Sequence, residues 1–546
     1  MKTYTEEKRI RPDILTSTVF WSICIMMLFN IISVRIFGDM GAGFCCVPNT
    51  LFFLLYISFV LAAQKSVYVM VRLRARRSQF LNAETNMKRS MRMFSVAGII
   101  LAVLIGFGSF NFARNLLGSG KAYFQLIVVA VSLILLCPQG VLRGYLQGLG
   151  YTRPIVISDL LISVTSFVSG GIISGIMYSY GKKVNDLFHG DEYSAIYGAS
   201  GMMLGLLIGS FIGLLQIIIS YSLRKKEIAE IVKNGAPRYL DNKNDVYTSI
   251  RPIEYLYASA LLMLLVDNLF FNFLQMKDGN NDAMIGAFGA YGGRIVSFVI
   301  LVAFLCCIPF VKSWNRVMAR IERDEIEGAR DRLKKLLHFT YMLLIPVFTA
   351  IFVLADTIQV AIFEKSTSEI SAIFRLAAIL IVLLSIGVLV SWLLNHMGKK
   401  LLTTINLTVG WAVHIGLLVL LSIVLGHDLY TIIISEIVTF LIYDIMCMFM
   451  ILKMLKLHSN ILLNIGIPFL ASGVAGLILL ALDRILINVI GEILTLLISV
   501  IVFAIIYVLL MVVLRGIRTH ELETVPLGRF FISFSSRVQH DSFYEE

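Results

Sequence analysis

The sequence predicts an all-α polytopic membrane protein of about fourteen transmembrane helices, arranged as two six-helix bundles followed by a C-terminal helix pair. Three observations carry this. The chain of 546 residues is 58% hydrophobic and only 15% charged, where a soluble domain is about a quarter charged. Its mean hydropathy is +0.84. Its apolar residues fall into runs long enough to cross a bilayer, which takes about 20 residues per helix. Lipid satisfies no backbone polar group, and these runs lack the alternation of a barrel strand, so each is expected to be a helix.

The predicted spans are residues 14–37, 46–71, 92–113, 122–147, 154–179, 197–222, 252–276, 283–311, 337–363, 370–395, 402–425, 429–452, 459–482 and 485–514. Lys2, Lys8, Arg9 and Arg11 precede the first, and no small-residue cleavage site follows it. It reads as a retained start-transfer helix. With both termini placed in the cytoplasm, the inner segments hold most of the 47 Lys and Arg. Arg72–Arg92, Arg224–Arg251 and Lys312–Lys335 are the richest, as the positive-inside rule requires. A missed span would invert the pattern downstream. The same asymmetry accounts for a net charge of +12. These cations flank helix ends, so anionic membrane lipids rather than nucleic acid are the expected partners. Arg316–Lys335 has helical spacing and mixed charge and is expected to be one short cytoplasmic helix.

Seven cysteines, Cys24, Cys45, Cys46, Cys137, Cys306, Cys307 and Cys447, show no ligand spacing. They predict packing roles, with no metal site and no disulfide framework. No phosphate-binding GxxxxGK[ST], HExxH or GxSxG is present, so the chain is not expected to be an enzyme, and no cofactor is expected.

The order of elements repeats. Gly144-Tyr-Leu-Gln-Gly-Leu-Gly-Tyr-Thr-Arg153 closes the fourth span, and Ser391-Trp-Leu-Leu-Asn-His-Met-Gly-Lys-Lys400 closes the tenth. Gly150 and Gly398 stand where a helix needs its C-terminal glycine. The reading is an N-terminal six-helix half at 1–222, a cytoplasmic linker at 223–251, a second half at 252–452, an extra pair at 453–514 and a cytoplasmic tail at 515–546. Parallel repeats of this kind suit alternating access.

Arg143-Gly-Tyr-Leu-Gln-Gly-Leu-Gly150 with Thr152-Arg-Pro154 resembles the RGxxQGxG signature of the multidrug/oligosaccharidyl-lipid/polysaccharide (MOP) exporter superfamily. The motif residues are Arg143, Gly144, Gln147, Gly148 and Gly150. Arg35–Gly43 is similar to its first outer turn, Tyr197–Gly205 to the start of its sixth helix, and Arg515–Leu522 with Pro526 to the tail of its polysaccharide and lipid II flippase branch. That branch includes the MurJ-like and stage V sporulation protein B-like proteins. The resemblance implies a bacterial cytoplasmic membrane protein that moves a lipid-linked saccharide, such as a lipid II-like precursor or a polysaccharide repeat unit on undecaprenyl pyrophosphate. A monomer is expected.

Four cations lie within apolar spans: Arg35, Lys65, Arg294 and Arg375. Each would cost ~2.5–3.5 kcal/mol at the centre of a lipid-facing helix. Arg35 and Arg375 are near enough to span ends to snorkel. Arg294, in Gly289-Ala-Tyr-Gly-Gly-Arg294, has glycines that admit another backbone or a ligand. Arg294 and Lys65 are expected to face a cavity and attract a lipid pyrophosphate. The resemblance places cavity cations on helices one, two and eight, where Arg35, Lys65 and Arg294 stand as substrate-binding candidates. It also implies a sodium site, for which Asp267 and Asn406 match. Gly410 stands where the family has an aspartate, so Glu436 and Thr439 are the substitute candidates, and Na+ or H+ is the candidate coupling ion. Among the histidines, His414 is expected to be the only deeply buried one, packed or hydrogen-bonded rather than catalytic.

Two other readings remain. An ion-coupled multidrug exporter would want acids and aromatics in its spans rather than Arg and Lys. A non-transporting scaffold of envelope synthesis would have no need of intramembrane charge. Small residues at Ala471, Gly473 and Gly476 suggest that the last two helices flank a groove for a lipid tail.

Overall fold

The computed structural model describes residues 12–116, 120–236, 262–271, 281–364, 366–426, 428–457 and 462–517. Among them every regular element is helical. In order these are α1 Pro12–Tyr56, α2 Ala63–Ala75, α3 Phe80–Leu116, α4 Tyr123–Gly148, α5 Arg153–Phe188, α6 Glu192–Lys233, α7 Leu262–Phe271, α8 Asn281–Gly289, α9 Ser297–Cys307, α10 Val311–Glu322, α11 Ile326–Val353, α12 Ala355–Phe363, α13 Ser368–His396, α14 Lys400–Val424, α15 Leu429–Met454, α16 Ile467–Ile490 and α17 Glu492–Val513. Twelve helical runs among the described residues are long and apolar enough to cross a membrane. One, Asp13–Ala75, covers two predicted spans, and α7 is the described part of the predicted seventh. The fold is therefore the multi-pass helical bundle that hydropathy predicts.

Three local features depart from expectation. The first outer turn is no separate loop: helix continues across it and breaks at Gly38 alone, at φ 75° and ψ −177°. That region of backbone space is open to glycine and costly for side chains. Spans two and eight each contain a π-helical segment, Ile57–Ala62 and Ala290–Val296. Arg316–Lys335 is not one connector helix. It divides between α10 and α11 at Arg323–Glu325, where Asp324 takes a left-handed conformation at φ 62°.

The chain forms two compact units. The first comprises Met1–Ile308 and Lys400–Ile432, the second Pro309–Lys399 and Ile433–Glu546. In the first, α5 and α6 approach backbone to backbone. A Cβ on Gly205 would lie 2.2 Å from the Gly170 Cα, and one on Gly201 would lie 2.5 Å from the Ser174 Cα. Small residues let membrane helices meet this closely. Gly205→Ala is expected to cost about 1–3 kcal/mol by overpacking. Gly171→Ala, with open space at its Cβ, is expected to be neutral or slightly stabilising through helix propensity. Thermal melting of the two purified variants checks the contrast.

In the second unit, α11 packs on α16, and Tyr507 of α17 donates to the Met342 carbonyl at 2.8 Å. A Cβ on Gly476 would meet the Thr349 methyl at 2.9 Å, whereas Gly473 faces open space. All seven cysteines are buried, and none is in a disulfide among the described residues.

The two glycine turns close in the same way. Tyr151 N–H donates to the Leu146 carbonyl and Gly150 N–H to Gln147; Lys399 N–H donates to Leu394 and Gly398 N–H to Asn395. Gly150 and Gly398 both have positive φ, 99° and 76°. Ser78, Asp324, Lys456 and Arg515 close other helices through the same five-residue hydrogen bond. The closure is thus a common device here, and glycine at its left-handed position distinguishes the two repeat turns.

Candidate functional site

The motif around Arg143 is built into the packing of the first unit. Gly140, Gly144 and Gly148 recur every four residues and form one face of α4. A Cβ on Gly140 would strike the Phe59 carbonyl at 2.1 Å, one on Gly144 the Gln64 carbonyl at 2.5 Å, and one on Gly148 the Val71 side chain at 2.5 Å. The glycines let α4 lie directly on the π-helical segment and on α2. Gln147 accepts a hydrogen bond from Gln64 at 2.8 Å across that contact. Arg143 is wholly buried, ion-paired to Asp159 of α5, and donates to the Tyr56 hydroxyl at 3.3 Å. Arg143 is thereby a bolt joining α4, α5 and the end of α1.

Arg294 lies in the π-helical segment between α8 and α9 and is 6% exposed. It forms a two-armed pair with Asp39, its Nε and one terminal nitrogen each donating to a carboxylate oxygen. The glycines around it serve a backbone: a Cβ on Gly289 would lie 1.9 Å from the Asp39 carbonyl, and one on Gly293 2.8 Å from Ala42. Helix α1, just past the Gly38 break, is pressed against this segment. Asn30 of α1 donates to Ser297 at 3.4 Å, and Ser297 donates to the Gly292 carbonyl at 3.1 Å, five residues back, as π-helical spacing sets it. A π-segment is a local distortion of the kind that accumulates at functional positions.

Lys65 and Arg35 are exposed. Lys65 and Arg72 both lie over the Tyr68 ring, at 5.6 and 5.5 Å, and Lys400 adds a third positive charge close enough to repel Lys65. Lys65, Arg35 and Arg294 therefore occupy different surroundings in the first unit, and Arg294 alone of the three is buried. Arg375 belongs to the second unit and pairs with Asp356 at an exposed position.

The ion-coupling candidates are divided between the units. Asp267 and Asn406, both wholly buried, belong to the first. There Asp267 bonds His414 of α14 at 2.9 Å, with both side chains 0% exposed. His414 is hydrogen-bonded, one of the two roles the sequence predicts for it, but it is not the one buried histidine. His338 in the second unit is 7% exposed and engages the Asn464 side chain at 3.1 Å and the Gly516 carbonyl at 3.0 Å. Glu436 and Thr439 of α15 are buried in the second unit, where the Thr439 hydroxyl donates to Ser435 one turn back.

Sequence reasoning missed Asp39, Asp159 and the pairing of His414. Two of these had a signal. Asp159 is an acid inside an apolar span, and such an acid needs a partner. His414 and Asp267 are opposite in character on two separate spans. Asp39 had none, since it sat in a segment read as a loop.

No family model matches the chain. Stage V sporulation protein B of Bacillus subtilis (strain 168) is 21% identical over 211 residues, a stretch spanning 38% of this chain and 38% of that relative. Among solved structures, the lipid II flippase MurJ in an inward closed conformation matches at a TM-score of 0.64 and 16% identity, covering 92% of this chain and 98% of that one. The chain has the fold of the MOP-superfamily transporters. An inward-facing multidrug resistance MATE family transporter of the MOP superfamily matches at a TM-score of 0.57 and 16% identity over 81% of this chain and 99% of that one. A MOP superfamily transporter from Pyrococcus furiosus with a binding pocket of reverse polarity matches at a TM-score of 0.51 and 16% identity, covering 83% of this chain and 100% of that one. The MOP fold, with Arg143 bolting its first helices together, is the frame in which Arg294 and His414 are held.

Proposed function

We propose that the chain is a flippase that moves a lipid-linked saccharide precursor, lipid II-like or a polysaccharide repeat unit on undecaprenyl pyrophosphate, from the inner to the outer leaflet by alternating access. The observation that carries the reading is Arg294, a buried cation inside a span of a MOP fold, held by the two-armed pair with Asp39. A guanidinium that grips a carboxylate through its fork offers the same fork to a diphosphate. Lys65 and Arg35 are the further anion-binding candidates. The likeness of fold to the lipid II flippase supports the reading, as does the distant relationship to the sporulation protein. We place the chain in a bacterial cytoplasmic membrane with both termini inside and no catalytic role, and take the two six-helix halves as the moving parts. The MATE-like fold favours a multidrug exporter as the second reading, but a cationic drug site would be repelled by Arg294 and Lys65.

Mass spectrometry of lipids that co-purify with the intact chain tests the proposal. A polyprenyl-diphosphate saccharide is the expected adduct, and phospholipid alone would count against it. Cysteine labelling in cells checks the orientation. Cysteines at Lys183 and Asp282 are expected to react from outside, and cysteines at Lys226 and Arg330 only after permeabilisation. Reaction of the Lys226 and Asp282 positions from one side would end the fourteen-span scheme.

A further inference from the structure

The second unit carries a basic cluster that the flippase reading leaves unused. Helices α10 and α11 are joined by the short turn Arg323–Glu325 and pack back along each other. Val311, Trp314, Val317 and Met318 form the buried face of α10, and Ala329, Leu333 and Leu336 are buried on α11. Their register is fixed at Arg320, whose guanidinium donates to the Gly328 carbonyl at 2.7 Å. A Cβ on Gly328 would lie 2.8 Å from that guanidinium. One turn before Arg320 stands Arg316, and one turn after Gly328 stands Arg332. Residues four apart share a helix face, so the hairpin sets Arg316 and Arg332 opposite each other. Arg316 and Arg320 are both close enough to repel Arg332. Neither Arg316 nor Arg332 has an ion-pair partner among the described residues.

The acids of the hairpin lie elsewhere. Asp324, Glu325 and Glu327 sit at its tip, where Glu325 comes within 4.0 Å of Arg320. Glu322 bonds His396 at 3.0 Å, and Asp331 is exposed. Charge is thus divided along the hairpin, mostly acidic at the tip and basic towards the base, where Lys312 and Lys335 follow. The base is the membrane end. The predicted ninth span begins at Leu337, about 7.5 Å beyond Arg332 at ~1.5 Å per residue. A headgroup layer is about 5–7 Å deep on each side of the hydrocarbon, so the facing arginines stand at headgroup level. We propose that Arg316 and Arg332, with Arg320 beside them, form a binding site for the phosphate of an anionic phospholipid headgroup. A phosphate between the two guanidiniums replaces their repulsion by charge-assisted hydrogen bonds. The net negative charge, which a zwitterionic headgroup lacks, is what the cluster selects. The inner leaflet follows from the orientation proposed above; the site depends neither on that orientation nor on the substrate carried.

Thermal melting of the full chain in detergent, with phosphatidylglycerol, phosphatidylcholine or inorganic phosphate added, tests this. Phosphatidylglycerol is expected to raise the melting temperature and phosphatidylcholine to raise it less. In the double variant Arg316→Gln, Arg332→Gln the phosphatidylglycerol concentration giving half the rise is expected to increase roughly tenfold or more. Without lipid this variant is expected to melt no lower than wild type, because two facing charges are gone. Arg323→Gln with Lys334→Gln removes the same charge from exposed neighbouring positions and is expected to keep the lipid response. Arg316→Lys with Arg332→Lys keeps the charge without the forks and is expected to keep part of it. Inorganic phosphate at the same concentrations is expected to give no rise, since no acyl chain holds it at the site. A rise with phosphate equal to that with phosphatidylglycerol would put a soluble anion there and overturn the lipid assignment. A phosphatidylglycerol response unchanged in the glutamine pair, or lost equally in Arg323→Gln with Lys334→Gln, overturns the site. Melting of the glutamine pair well below wild type without lipid would make the arginines structural and overturn it too.

Discussion

Arg143→Ala is expected to lower the stability of the purified protein by about 3–5 kcal/mol, the usual result of removing one partner of a buried ion pair. Arg143 is 0% exposed and its partner Asp159 is 3% exposed at the side chain. Truncation leaves a carboxylate inside the bundle with no cation, and Tyr56 loses a donor. Asp159→Asn leaves the guanidinium in the same position and is expected to destabilise comparably. Arg143→Met combined with Asp159→Leu removes both charges and fills similar volume, so most of the loss is expected to return. Thermal melting of the four proteins in one detergent measures this. Equal melting of wild type and Arg143→Ala would show that the pair holds nothing together. The outcome matters for reading the motif: its arginine and glycines join α4 to α2 and α5, and none of them needs to touch a substrate.

The second large effect is on ligand binding. Arg294→Ala is expected to weaken binding of a polyprenyl-diphosphate saccharide roughly ten- to hundredfold, through loss of charge-assisted bonds worth ~1.5–3 kcal/mol. Arg294→Lys keeps the charge but not the fork and is expected to recover part of the affinity. Asp39 competes for the same guanidinium, so Asp39→Asn is expected to strengthen diphosphate binding while weakening the fold. The opposite signs separate a binding role from a structural one, with thermal melting as the control. Binding that falls alike in Arg294→Ala and Asp39→Asn, in step with stability, would make the pair a clasp between α1 and the π-helical segment. Unchanged binding in a stable Arg294→Ala protein would end the cationic mechanism.

The sequence by itself determined the class of the molecule and nearly all of its helices. Hydropathy acts on each segment separately, because a backbone in lipid must satisfy its own hydrogen bonds whatever lies beside it. The glycine turns at Gly150 and Gly398 were legible for a similar reason, since a left-handed backbone position depends on the residue that occupies it. Only the tertiary structure decided what the buried charges do. Arg294 meets Asp39 from 255 residues away, and His414 meets Asp267 across 147. Helical periodicity tells which residues share a face of one helix, but not which helix lies against that face. The Gly38 break and the π-helical segment around Arg294 were hidden likewise. Glycine permits the first and a π-helical turn takes in one extra residue, but neither local pattern requires the distortion.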